Sequence, residues 1–166
     1  GIVGMGRVGR AVATRAAAFG CPISYTDLQP MSDVNHTYVA DLKQLARDSD
    51  ALILAAAADK AEAIIDAEVL RALGKGGYLI NVARGKLVNE ADLVAALTSG
   101  DIAGAALDVF VDEPHVPEAL FGSEQVVLQP HRASATLQTR TRMGEMVVAS
   151  LVDSFAGKVP QGCVTG

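Results

Sequence analysis

Short apolar runs alternate along the chain with longer stretches in which apolar and small residues recur at helical spacing. Residues 1–4 read as the end of a first strand. Residues 8–19 read as a helix, with Val8, Val12 and Phe19 turned inward and small alanines allowing close approach. A second strand covers 23–26, just after Pro22, a weak third lies at Tyr38 and Val39, and a short helix spans 42–47. Residues 51–55 form a buried fourth strand. A helix over 67–73 stops at Gly74, and residues 78–82 form a fifth strand. Asn89 is placed to cap a helix that runs to Ser99 and ends at Gly100. Two further strands are expected at 103–109 and 126–128, then one long helix over 136–155, closed by Gly157.

Strands that alternate with helices in this way predict repeated βαβ units. The expected fold class is α/β, a doubly wound parallel sheet. The organisation read from the chain is a sheet domain over residues 1–133, then a return helix and tail over 134–166. Composition sharpens the picture. Half of the 166 residues are hydrophobic but only 4% are aromatic, so the core is built from Ala, Val, Leu and Ile. The net charge of −5 argues against nucleic acid or an anionic membrane as partner, and no apolar run reaches spanning length. Cys21 and Cys163 fit neither metal nor redox spacing, so no metal site is expected and a reducing, cytoplasmic setting fits best. Gly1 lies inside a strand pattern rather than at an initiating Met, so the chain is expected to be part of a longer one. The longest irregular stretch, 110–125, contains Pro114 and Pro117, and long ordered loops are often functional.

The first chemistry appears at Gly4-Met5-Gly6-Arg7-Val8-Gly9, a G-x-G-x-x-G between strand and helix. Its first glycine permits the tight turn, its second lets backbone approach a pyrophosphate, and its third lets helix and strand sit close. The helix N-terminus adds free N–H groups and partial positive charge, and Arg7 adds a charged donor. Such a turn alone is weak evidence, but Asp27 ends the next strand, eighteen residues beyond Gly9. That is where a Rossmann-type dinucleotide-binding domain places the carboxylate that binds the adenosine ribose. A carboxylate there repels the 2′-phosphate of NADP, and Leu28-Gln29-Pro30 supplies no arginine to offset it, so NAD is the expected cofactor.

Three further polar residues end apolar strands or stand just beyond them, where open α/β sheets bind ligands. They are Arg84 in Leu-Ile-Asn-Val-Ala-Arg-Gly, Glu113 in Leu-Asp-Val-Phe-Val-Asp-Glu-Pro, and His131 in Leu-Gln-Pro-His. His36 and His115 are read as exposed loop residues, and Met143 and Met146 as packing.

Together the glycine turn, N-V-A-R-G, L-D-V-F-x-x-E-P and P-H-x-x-S-A-T resemble the D-isomer-specific 2-hydroxyacid dehydrogenases, nearest their glyoxylate/hydroxypyruvate and hydroxyphenylpyruvate reductase branch. The resemblance covers essentially the whole chain. It implies that Arg84 binds a 2-keto acid through its carboxylate and polarises the keto oxygen. It implies that His131 protonates that oxygen as NADH delivers hydride, with Glu113 hydrogen-bonded to the imidazole and favouring its charged form. Asp108 matches the residue that holds the nicotinamide carboxamide, and Val82, Ala83 and Ala133 match backbone contacts to cofactor. Two departures stand out. Ala55-Ala56-Ala57-Ala58-Asp59 replaces a Pro-Leu-Thr-Pro-like turn, leaving cofactor contacts at Ala55 and Ala56 to backbone. Ala133-Ser134 stands where Gly-Ser or Gly-Gly is usual.

The resemblance also implies a second, substrate-binding domain absent from this chain, a helix 136–155 that packs toward it, weak or no turnover by the chain alone, and a homodimer formed through the cofactor domain. Two rival readings are a non-catalytic NAD-sensing module related to the same family, and a methyltransferase or other enzyme that shares only the glycine turn.

Overall fold

The computed structural model describes residues 1–57 and 63–163. The chain divides into two units, Gly1–Pro130 and His131–Gly166.

The first unit holds one seven-stranded sheet, all parallel, in the order β3-β2-β1-β4-β5-β6-β7. Its strands are β1 Ile2–Val3, β2 Ser24–Thr26, β3 Thr37–Tyr38, β4 Ala51–Leu54, β5 Tyr78–Asn81, β6 Gly104–Leu107 and β7 Val126–Leu128. The helices between them are α1 Arg7–Ala18, α2 Leu42–Arg47, α3 Ala67–Leu73 and α4 Glu90–Ser99. Ile2 pairs with Tyr25 on one side and Ile53 on the other, so β1 is an interior strand and the order reverses there. This is the doubly wound parallel sheet expected from the alternation of strands and helices.

Caps set the helix boundaries. Asp41, Asp66 and Asn89 each accept backbone N–H groups at the starts of α2, α3 and α4. Gly100, at φ +70°, closes α4 in the left-handed conformation that glycine adopts at little cost.

Because strand side chains alternate, neighbouring residues of one strand serve different cores. Val3 joins Leu54, Leu70, Leu79, Leu93 and Leu107 in the main core beneath α2, α3 and α4. Ile2 joins Met5, Ala13 and Tyr25 in a smaller one under α1. Almost all of the buried side chains are aliphatic, as the composition requires.

Helix α1 departs from expectation. Val8 is 53% exposed and Phe19 88% exposed, while Gly9 and Ala13 are the buried positions and Val12 packs beside them. A β-carbon at Gly9 would lie 2.0 Å from the Gly4 carbonyl oxygen, so the helix presses its smallest residues on the strand. Val8 is turned to the cleft mouth described below, and Phe19 has become the C-cap. His36 is half-buried rather than exposed, whereas His115 is exposed. The irregular stretch 110–125 contains one short 3-10 turn, Glu118–Leu120, pinned by the buried Leu120.

The second unit consists mainly of α5, Leu137–Phe155, begun by Thr136, whose hydroxyl accepts the Thr139 N–H. None of its residues is buried. Met143 and Met146, read as packing residues, are 55% and 47% exposed, and Phe155 is 89% exposed. Among the described residues, no helix is long and apolar enough to cross a membrane.

Candidate functional site

Parallel strands put all their C-terminal ends on one edge of the sheet, and the connections leaving that edge carry the chemistry. At the switch point between the two halves, β1 runs into Gly4 and the glycine turn, then into α1. Gly4 has φ +92°, and any β-carbon there would meet Ala56 Cα at 2.5 Å. Gly6 is the opposite case: nothing lies within 4 Å of the position its β-carbon would take, so the N-cap of α1 opens onto empty space. Glycine has no side chain to cap with, which leaves the first N–H groups of the helix available to an anion.

A cleft of about 690 Å³ opens above this turn. It is lined by Gly4, Gly6, Arg7, Val8 and Asp27 on the β1–β2 side, and by Ala55, Ala56 and Ala57 after β4. The remainder of the turn after β4, Ala58 and Asp59, lies outside the described residues. The volume falls within the usual range for cofactor sites. The bare cradle at Gly6, the exposed Arg7 and the carboxylate of Asp27 fit the pyrophosphate and ribose of a dinucleotide.

Asp27 is half-buried and already engaged. Its Oδ2 accepts the Met5 N–H at 2.7 Å, and its Oδ1 accepts the Leu28 N–H at 2.8 Å. It therefore braces the glycine turn as well as facing the cleft.

Further along the same edge, β5 and β6 end side by side, with Asn81 opposite Leu107. Val82, Ala83 and Arg84 follow the first strand and Asp108 the second, two and three strand spacings from β1, or roughly 10 and 15 Å. None of these four lines the cleft. Arg84 is exposed, in extended backbone, with Nη1 donating to the Ala83 carbonyl at 2.7 Å. Asp108 is 7% exposed, an unusual depth for a carboxylate, and its N–H donates to the Asn81 carbonyl.

The loops bearing Arg84 and Glu113 touch. A β-carbon on Gly85 would fall 1.9 Å from the Phe110 carbonyl carbon, so only glycine permits this approach. Glu113 is exposed, and its Oε1 accepts the Phe110 N–H at 3.0 Å. The Glu113–Pro114 peptide is cis.

Two supporting residues escaped the sequence reading. Asn81, 1% exposed, donates from Nδ2 to the Arg84 carbonyl at 2.9 Å and accepts the Ala83 N–H at 3.0 Å, so it sets the path of the arginine loop. Glu90, at the start of α4, accepts the Val111 N–H at 2.8 Å and ties that helix to the Glu113 loop. A polar residue inside an otherwise apolar strand was the available signal for Asn81. Nothing local marked Glu90.

His131 and Ala133 open the second unit, both exposed. His131 has φ +51°, a left-handed conformation uncommon for a residue with a side chain and often associated with functional sites.

Comparison with known proteins identifies the family of this fold. Residues 1–133 match the family model described as D-isomer specific 2-hydroxyacid dehydrogenase, NAD binding domain. The chain is 48% identical over 159 residues to glyoxylate/hydroxypyruvate reductase A of Arabidopsis thaliana, covering 95% of this chain and 51% of that protein. It is 49% identical over the same length to a hydroxyphenylpyruvate reductase of Plectranthus scutellarioides, again covering 95% and 51%. Among solved structures, an NADPH-dependent glyoxylate/hydroxypyruvate reductase from Sinorhizobium meliloti, in complex with NADP and malonate, superposes with a TM-score of 0.88 at 45% identity. That match covers 93% of this chain and 49% of the other. The chain thus spans about half the length of the curated relatives it matches.

Proposed function

The chain belongs to the D-isomer-specific 2-hydroxyacid dehydrogenases, as their NAD-binding domain, and from that premise we propose that it is the cofactor-binding half of an oxidoreductase that also bears the catalytic residues. The reaction is hydride transfer between NAD(H) and a 2-keto acid or D-2-hydroxy acid of the glyoxylate/hydroxypyruvate kind. The observation that carries this reading is the shared strand edge. The glycine turn, Asp27 and the adjoining loops of Arg84 and Glu113 all leave the same end of one parallel sheet. The relatives are named as reductases, which favours catalysis over sensing.

Bound NADH supplies the hydride. The remaining work belongs to side chains. The Arg84 guanidinium, a planar fork that is always charged, binds the substrate carboxylate and draws electron density from the keto oxygen. His131 gives its proton to that oxygen during reduction and takes one back during oxidation, while Glu113 orients the imidazole and stabilises its protonated form. Asp108 holds the carboxamide end of the nicotinamide, with backbone at Val82, Ala83 and Ala133 completing the seat. Residues 1–133 act as the cofactor domain and 134–166 as the helix and tail that face a substrate domain.

Asp27 selects NAD over NADP, since its carboxylate occupies the ribose end of the cleft without a compensating arginine at residues 28–30. The Sinorhizobium protein binds NADP, so this preference rests on the chain's own residue. Two copies associate through the cofactor domain, and the widely spaced cysteines suit a reducing cytoplasm.

The test is a titration of NADH and NADPH into the 166-residue chain, with a panel of 2-keto acids assayed for turnover. Tight NADH binding with little turnover is expected from the chain alone, which spans about half the length of the relatives named as reductases. In the protein that carries this chain, His131→Gln abolishes reduction and leaves NADH binding intact. Turnover that survives the substitution would rule out His131 as the proton donor, and NADH binding with no turnover in that unsubstituted protein would indicate a sensor. Vigorous glyoxylate or hydroxypyruvate reduction by the isolated chain would overturn the half-enzyme reading, and a monomer in light scattering at micromolar concentration would overturn the dimer.

A further inference from the structure

Arg10 belongs to none of the motifs, yet its guanidinium links the two rims of the cleft. From the first turns of α1, Nε donates to the Met5 carbonyl at 3.2 Å, within the glycine turn. Nη2 reaches the other rim, donating to Asp33 Oδ1 at 2.9 Å and to the Met31 sulfur at 3.2 Å. Met31 lines the cleft, and its N–H donates to the Tyr25 hydroxyl at 2.9 Å. Met5 is held a second time through its N–H, which donates to Asp27. The segment between β2 and β3 that carries Asp27, Met31 and Asp33 contains no helix or strand, so its placement depends on such contacts.

The Arg10–Asp33 pair is 40% and 71% exposed, and ion pairs so open to water contribute little to stability. What it does contribute is geometry. A single planar fork touches three acceptors on two segments separated by more than twenty residues of chain. Arg10 is held above, and Asp33 below, its ordinary pKa by their mutual hydrogen bond, so the pair is charged across the working pH range.

We infer that Arg10 is a positioning residue for the adenosine end of the cleft, fixing the Met31–Asp33 segment at a set distance from the glycine turn so that the dinucleotide meets a rim already formed. This rests on the dinucleotide reading above. A rim ordered in advance spares the entropy that binding would otherwise lose in ordering it, so the effect falls on affinity.

The test titrates NADH and ADP-ribose into the 166-residue chain and its Arg10→Met, Arg10→Lys and Asp33→Asn variants, with melting curves recorded without ligand. Arg10→Met is expected to raise both dissociation constants roughly tenfold, with a melting temperature close to that of the wild type. Arg10→Lys, a point charge that meets Asp33 but not all three acceptors, lies between, and Asp33→Asn, which keeps a neutral acceptor, loses less. Should Arg10→Met melt well below the wild type, amide exchange decides. Faster exchange confined to residues 31–33 supports the inference, and a chain-wide increase overturns it. Unchanged affinity in Arg10→Met, beside a wild type that binds, sinks this inference alone. A wild type that binds neither ligand sinks the dinucleotide reading itself.

Discussion

The carboxylate of Asp27 accepts the backbone N–H of Met5 at 2.7 Å, joining the end of β2 to the middle of the glycine turn. The same residue lines the cleft beside that turn. On the proposed reading one acid therefore has two tasks: it braces the glycine turn and it disfavours a 2′-phosphate on the ribose.

Replacing Asp27 with Ala removes both. Hydrogen bonds to a charged group contribute about 1.5–3 kcal/mol, so a loss of NADH affinity of at least roughly tenfold is expected. Loss of the negative charge also removes the repulsion that excludes a 2′-phosphate, so the ratio of NADPH to NADH affinity rises. Titration by nicotinamide fluorescence measures both. An Asp27→Ala chain with wild-type affinity for NADH and unchanged preference would show that the carboxylate only braces the turn, or does neither.

Asn81 makes a second prediction. It is buried, with one side-chain donor and one acceptor holding the loop that carries Arg84. Leu has nearly the same shape but meets neither partner, leaving the Ala83 N–H unsatisfied beneath the surface. Asn81→Leu is expected to cost about 2 kcal/mol and to lower the melting temperature by roughly 4–8 °C. A melting curve identical to that of the wild type would mean that the loop holds its path without this anchor.

These two residues also mark the boundary of what the sequence disclosed. Strands and helices were legible because their signals are local: the run Ala51–Leu54, the cap at Asn89 and the stop at Gly100 each depend on a few neighbouring residues. The placement of the glycine turn and Asp27 at strand ends, and of Arg84 and Glu113 in the loops beyond them, followed from the same patterning. Orientation was harder to read. Val8 and Phe19 look like core residues by type, but the chain approaches β1 through Gly9 and Ala13 because only small groups fit there. Partners far apart in sequence were invisible as well. Glu90 meets Val111, twenty-one residues away, and Arg10 meets Asp33, twenty-three away. No periodicity reports a contact of that kind.

Acid sensitivity offers a third prediction. Asp66 caps α3 by accepting the Glu68 and Val69 N–H groups, both at 2.9 Å. The hydrogen bond from Val69, foremost, holds its carboxyl below the ordinary aspartate pKa. A folded-state pKa below the unfolded one means that the stabilisation is fully present above the unfolded value and is lost as pH falls through the folded one. Asp66→Ala should therefore cost about 1 kcal/mol at neutral pH. The gap between the two proteins should close below about pH 4. Unfolding curves at pH 7 and pH 3 check this, and a gap that stays constant between them would show that the charge of the cap is immaterial.

The glycine turn yields the sharpest contrast, because two of its glycines are required for different reasons. Gly9 is required by the fold: its β-carbon would sit 2.0 Å from the Gly4 carbonyl oxygen, a backbone atom that cannot swing aside. Gly6 meets no such obstacle, and on the proposed reading it is the ligand that requires it. It has φ −73°, which any residue adopts, and open space where a methyl group would go. Gly9→Ala is therefore expected to lose about 3 kcal/mol of stability through overpacking. Gly6→Ala should change stability by less than about 1 kcal/mol. Its NADH affinity should nonetheless fall roughly tenfold or more, as the methyl group takes the place of a phosphate oxygen. Paired melting and titration experiments separate the two roles. A Gly6→Ala chain that melts normally and still binds NADH at full strength would show that the pyrophosphate does not lie over this turn.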